Sequence, residues 1–161
     1  MKVEEAIVIR QEEISTDIYS MWIKTEVAKE AKAGQFISVY SKNGATLLPR
    51  PISICEISED KTKLRIVYRV VGKGTDEFSK LLSDEKVKIL GPLGNGYTLK
   101  NKTAILAAGG IGVPPIVELA KELKRKYIEE IQNQQIEALT DEDIENIEAA
   151  SKFNDLFGNI F

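Results

Sequence analysis

The chain has 161 residues, 43% of them hydrophobic and 29% charged, with a formal net charge of −3, 1 cysteine and no histidine. That length supports one sizeable core or two small domains, and the negative charge gives a nucleic acid no electrostatic hold. An intramolecular disulfide, histidine acid–base chemistry and a zinc or iron–sulfur ligand set from this chain are all excluded, so any demanding chemistry must come from a bound cofactor or a partner.

Residues 3–9 are mostly apolar, and residues 18–25 alternate, with Tyr19, Met21 and Ile23 on one face and Ser20, Trp22 and Lys24 on the other. Both read as strands, and residues 1–5 lead into the first without a signal peptide. Gly34 turns the chain into a β-rich run over 36–40, and residues 41–44 turn it again. No apolar run is long enough to cross a membrane, so a cytoplasmic protein is expected.

The next stretch, Leu48-Pro49-Arg50-Pro51-Ile52-Ser53-Ile54-Cys55, sets one arginine between two prolines ahead of a β-branched run. A residue before proline is held extended, which places Arg50 at a strand entry where its charge suits an anion. Ser53 offers a hydroxyl that both donates and accepts. A solvated arginine on an edge strand is the plain alternative. Residues three apart on an ideal strand face opposite ways, so Arg50 and Ser53 serve one ligand only if the strand twists or the ligand lies along its edge.

Residues 63–71 alternate again, with Leu64, Ile66, Tyr68 and Val70 sharing a face, and run into Gly72-Lys73-Gly74-Thr75 and a short helix over 76–82 with Thr75 as its expected N-cap. Glycines that turn amides outward, a helix N-terminus and the Lys73 charge together suit a phosphate, although such a motif is often only a tight turn. With residues 86–90, the count reaches six short strands joined by tight turns, which predicts a closed antiparallel barrel.

Gly91 to Tyr97 is dense in turn residues and reads as the exit from the barrel, with a domain boundary near residue 100, giving 1–100 and 101–161. Residues 103–108 are an apolar run of the kind found in a buried parallel strand; Gly109, Gly110 and Gly112 follow in a loop, and residues 113–127 form a helix through Ile116, Leu119, Leu123 and Tyr127. This is the start of a nucleotide-binding βα unit, without Gly-x-Gly-x-x-Gly spacing. Residues 138–140 break the helix, and a second capped helix carries an acidic run over 141–148, read as a solvated face and not a metal site. The apolar tail with Phe153, Leu156 and Phe157 is expected to fold back or meet a second copy of the chain.

Taken together, Gly34-Gln35-Phe36, the Arg50–Ile54 stretch, residues 68–75, Gly91-Pro92-Leu93-Gly94-Asn95-Gly96 and Gly109-Gly110-Ile111-Gly112-Val113-Pro114 resemble the ferredoxin-reductase superfamily. The nearest resemblance is to its dihydroorotate dehydrogenase B electron-transfer branch, over about residues 1–124. It implies an FAD-binding barrel followed by an NAD-binding α/β domain, working with a catalytic dihydroorotate dehydrogenase subunit to pass electrons between dihydroorotate and NAD in pyrimidine (UMP) biosynthesis. Arg50, with Pro51, would meet the flavin phosphates, Ser53 would lie near the reactive ring nitrogen as the catalytic candidate, and Val70 and Val71 would line the ring. Ile52 stands where the superfamily often has an aromatic residue. Gly72, Lys73, Gly74 and Thr75 would cradle the pyrophosphate, and Gly109, Gly110 and Gly112 would face the nicotinamide dinucleotide.

Family members continue through further βα units and a cysteine-rich segment holding a [2Fe-2S] cluster, for which this sequence has no ligands. The fold expected is thus a six-stranded barrel, a truncated βα unit and a helical tail, a poor NAD-dependent catalyst by itself. The alternatives are a sulfide dehydrogenase or ferredoxin–NADP reductase subunit, and a non-catalytic binding or assembly module.

Overall fold

In a computed structural model, which describes residues 1–42, 48–100 and 104–137, six strands close into an antiparallel barrel. They are β1 (Lys2–Ser15), β2 (Ile18–Lys24), β3 (Phe36–Val39), β4 (Arg50–Ile57), β5 (Lys63–Arg69) and β6 (Lys86–Leu93), in the order β1-β2-β5-β4-β3-β6. Closure leaves no sheet edge, and it is made possible by the length of β1. Its first half pairs with β6, from Lys2 opposite Gly91 to Ile7 opposite Lys86, while its second half pairs with β2 as far as Ser15 opposite Ile18.

The expected first strand ended at residue 9, because the polar run Arg10-Gln11-Glu12-Glu13 carries no apolar alternation. The structure continues it to Ser15, since β2 supplies partners in Trp22, Met21, Ser20 and Tyr19. Here the ladder outweighs local propensity. Val8, Met21, Ile23, Ile37, Ile54, Leu64, Ile66 and Ile89 are fully buried within the barrel, and the alternation read for β2 and β5 is what puts Met21, Ile23, Leu64 and Ile66 there.

Helix α1 (Lys73–Ser79) drives Phe78 into this core, edge-on to Tyr68 with ring centroids 6.2 Å apart. Gln11 ties the helix down by donating to the carbonyls of Phe78 (2.9 Å) and Leu81 (3.0 Å), and it accepts from the Tyr68 hydroxyl at 2.8 Å. Burial, with Tyr19 adding a smaller repulsion, pushes the Tyr68 phenol above its ordinary range. The N-cap is Gly72 and not Thr75 as expected. The reason is that the Thr75 hydroxyl turns back, accepting from the Val71 and Gly72 amides at 3.0 and 3.3 Å and donating to the Gly72 carbonyl at 3.0 Å, which draws Lys73 and Gly74 into the first turn.

After β6 the expected parallel strand is not formed over residues 104–108. These residues carry no regular structure and are exposed, with Ile105 at 94%. A parallel strand draws its hydrogen bonds from neighbouring strands, and among the described residues every strand is already committed to the barrel. A 3-10 turn, Gly110–Gly112, then leads into helix α2 (Pro114–Glu137), which opens with proline in its first turn as read from the sequence.

The chain divides into two compact units, Met1–Leu123 and Lys124–Phe161. In the second, residues 124–137 are helical, whereas the expected break at 138–140, the acidic helix and the apolar tail lie outside the described residues. No helix among the described residues is long and apolar enough to cross a membrane.

Candidate functional site

Strand β4 sets out the first group of residues. Ile52 and Ile54 point into the core, so Pro51 and Ser53 face outward; Pro51 is exposed and Ser53, opposite Phe36 of β3, is half-buried. Arg50 begins the strand opposite Val39, donating to the Leu48 carbonyl at 2.6 Å. Its side chain reaches α1, where a Cβ added to Gly74 would lie 3.0 Å from the Arg50 Nε. Arg50 and the first turn of α1 therefore form one group.

The turn between β5 and α1 forms the other wall. Val70 packs partly against the core while its amide donates to the Asp17 carbonyl at 2.7 Å, and Val71, 79% exposed, follows with exposed Gly72 and Lys73. The Asp76 amide donates to the Gly72 carbonyl at 2.9 Å and so opens the helical ladder. The amides of Lys73, Gly74 and Thr75 belong to the turn whose donors the helix itself cannot satisfy. A cation, the first turn of a helix and an absent Cβ thus meet at one point.

Ser53 is not part of this group, because it leaves β4 on the opposite face from Ile52 and Ile54. Gly109, Gly110 and Gly112 form a third group near β5, on a loop whose glycines have open space where a Cβ would stand. Ile52 contributes from within the core and not from the surface.

Another junction stitches the Gly34 turn to the exit from the barrel. Gly34 adopts φ +83°, and a Cβ there would fall 2.6 Å from the Tyr97 ring. Gln35 donates from Nε2 to the Gly94 carbonyl at 2.7 Å and accepts the Lys32 amide at 2.9 Å, while its own carbonyl accepts from Ile54 at 3.0 Å. Beyond it, Tyr97, Leu99, Lys100, Leu106, Leu119 and Leu123 line an apolar pocket of about 330 Å³.

The sequence reading missed the residues by which α2 meets the barrel. It traced the helix through Ile116, Leu119, Leu123 and Tyr127; Leu119 is buried, but so is Glu118, at 1% exposure. The Glu118 carboxylate accepts the Ile57 amide of β4 at 2.9 Å, and Glu122, one turn on, accepts the Ala33 amide at 3.3 Å. Lys121 forms an ion pair with Glu56, which Arg65 engages from β5, and Arg65 also donates to Ser20 at 2.9 Å. Burial would raise the Glu56 carboxyl, but hydrogen bonds from Lys121 and Arg65 outweigh it and hold the group below the ordinary carboxylate range. Nothing in the sequence separates these charges from those of a solvated helix face.

No protein-family model matches the chain. Among curated proteins it is 40% identical over 130 residues to the dihydroorotate dehydrogenase B (NAD(+)) electron transfer subunit of Streptococcus mutans, a match covering 78% of this chain and 50% of that protein. It is 41% identical over 129 residues to the corresponding subunit of Listeria welshimeri, covering 78% and 51%. The chain thus spans about half the length of the curated relatives it matches. Among solved structures it is similar to an NADH-dependent reduced ferredoxin-NADP oxidoreductase described for flavin-based electron bifurcation, with a TM-score of 0.69 and 28% identity over 74% of this chain and 44% of that one. With the closed barrel, these matches assign the chain, over the residues they cover, to the dihydroorotate dehydrogenase B electron transfer subunit family of ferredoxin-reductase-type proteins.

Proposed function

We propose that the barrel binds FAD and that the chain serves as the electron-relaying part of a dihydroorotate-oxidising assembly, receiving or passing electrons between a catalytic dihydroorotate dehydrogenase subunit and NAD. The observation that carries this reading is the meeting of Arg50 with Gly74 in the first turn of α1. The residues fit a pyrophosphate: the guanidinium supplies charge and a fork of donors, the glycine lets it lie against the first turn of the helix, and the Thr75 hydroxyl fixes that turn.

Bound flavin would supply an acceptor and donor of one or two electrons. The chain's own residues hold and orient it. Arg50 neutralises phosphate charge, and Lys73 adds to that field from the turn. Pro51 and Ser53 line the outer face of β4, where the Ser53 hydroxyl would bond the ring edge; Val70 and Val71 give the ring an apolar wall, and Ile52 backs the strand from the core side. The Arg50 and Ser53 faces are then reached by a flavin lying along the strand end. Gly109, Gly110 and Gly112 offer an open backbone to a nicotinamide dinucleotide.

An absorption spectrum of the purified protein, followed by titration of stripped protein with FAD and FMN, tests the reading. Bound yellow flavin is expected, with FAD favoured over FMN by about tenfold or more, since a charge-assisted pyrophosphate contact contributes about 1.5–3 kcal/mol. A colourless protein that cannot be reconstituted would overturn it in favour of a binding or assembly role.

A further inference from the structure

Helix α2 begins directly after the Gly109–Gly112 loop, so whatever fixes its first turns fixes the loop. Buried helix faces are ordinarily apolar, yet here Glu118 is among the most fully buried side chains of the molecule. Its position follows from a mismatch between strands. Strand β3 pairs with β4 only across Arg50 to Ser53, and the last link on that side is the Ile54 amide to the Gln35 carbonyl. A bulge between Ile54 and Glu56 then shifts the β4–β5 register, and the Ser58 amide turns toward Lys63. Alternation leaves the Ile57 amide pointing to the side where β3 has ended, and the Glu118 carboxylate takes it.

The other polar groups on this side of the helix repeat the arrangement. Glu122 accepts the Ala33 amide beside the Gly34 turn, and Lys121 pairs with Glu56, the residue next to Ile57. Residues 118, 121 and 122 share one helix face by their spacing. All three ties end on the two segments that carry Ser53 and its pairing partner Phe36: Glu56 and Ile57 farther along β4, and Ala33 ahead of Phe36.

We infer that Glu118, assisted by Lys121 and Glu122, is a positioning residue that holds the Gly109–Gly112 loop in fixed relation to the outer face of β4 at Ser53. Its bearing on electron transfer rests on the reading of β4 as the flavin strand and of the glycine loop as the contact for a nicotinamide dinucleotide. Glu118 touches neither group; it sets the separation between them. A carboxylate suits the task because it accepts a backbone amide and brings no donor of its own that would need a partner.

The test compares the chain with its E118A and E118Q variants by amide hydrogen exchange and by the rate of flavin reduction on mixing the FAD-loaded protein with NADH. E118A is expected to speed exchange at Ile57 and at the hydrogen-bonded amides of Gly112, Val113 and Ile116 by about tenfold, because a part-buried amide loses its acceptor and the helix start its anchor, with β1 and β2 unchanged. FAD affinity should stay within about twofold, while flavin reduction slows by about tenfold relative to the parent chain. E118Q retains an acceptor oxygen and should restore both. Should E118A fail to fold, K121A removes a tie from the same face at an exposed position, with the same direction of change expected.

Unchanged exchange at Gly112, Val113 and Ile116 would overturn the inference. So would faster exchange with an unchanged reduction rate, which would leave Glu118 a structural role only. If the protein takes up no flavin, the proposed function fails on that result, and the exchange measurement still decides whether Glu118 fixes the loop.

Discussion

The Nε of Arg50 lies 3.0 Å from the point that a Cβ on Gly74 would occupy. This is closer than side chains ordinarily pack, so Gly74→Ala obliges the guanidinium to move by a few tenths of an ångström. Alanine in a helix is otherwise favourable by up to about 1 kcal/mol over glycine. The two effects part company in measurement: Gly74→Ala should leave the denaturant midpoint level or raised while weakening FAD binding. Arg50→Ala should cost FAD affinity about tenfold or more, and isothermal titration of both variants checks the pair.

Gly34→Ala is expected to act on stability instead. The backbone there sits at φ +83°, and the new methyl group would stand 2.6 Å from the Tyr97 ring. Left-handed backbone at a non-glycine residue costs about 1–3 kcal/mol, to which the displaced ring adds. Adding Tyr97→Ala should recover only the steric part, so the urea midpoint of the double variant should fall between those of the parent and Gly34→Ala. Full recovery would show that the backbone conformation carries no cost.

The acid limb of stability should report on Glu56. Its folded-state carboxyl titrates below the ordinary value of 4.5, so its contribution is complete above that pH and is lost as pH falls through the folded value. Thermal melting between pH 7 and pH 3 should show a decline below about pH 4.5, and Glu56→Gln should flatten that decline while lowering the melting temperature at neutral pH. An identical pH slope in the variant would remove the Arg65–Glu56–Lys121 group from the account.

Cys55 is buried, and burial pushes its thiol from 9.0 up to about 11. At pH 8 the thiolate is then about a hundredfold scarcer than in an ordinary cysteine, before access is considered. Alkylation by iodoacetamide should be slow in the native protein and rapid in denaturant, as followed by intact mass. Fast native labelling would mean that the outer face of β4 opens readily.

The barrel was legible in the sequence because its signals are local. Period-two alternation at Tyr19–Ile23 and Leu64–Val70, with turns at Gly34 and Gly72, already dictates which side chains enter the core. The second half of β1 was not, since Arg10 and Glu12 become strand residues only through β2. Residues 104–108 failed in the opposite direction: their apolar run satisfies a strand pattern, but a strand needs neighbours that the pattern does not provide. Arg50 and Gly74 were each marked by their own motifs, whereas their contact depends on where α1 packs. Glu118 carried no signal, because its burial follows from the shortness of β3 and a bulge in β4, neither of which is written near residue 118.

The pairing of Lys2 with Gly91 sets the order in which the protein can assemble as it is made. Strand β6 is the partner of both β1 and β3, so two of the first three strands wait for the last one. A ribosome must release residue 93 before the hydrogen-bonded ring can close, and until then the inward faces at Val8 and Ile37 lack part of their cover. Contacts of such sequence separation make for slow folding. Nascent chains stalled short of β6 should therefore remain sensitive to protease along their whole length, and those a few tens of residues longer should become resistant in a single step.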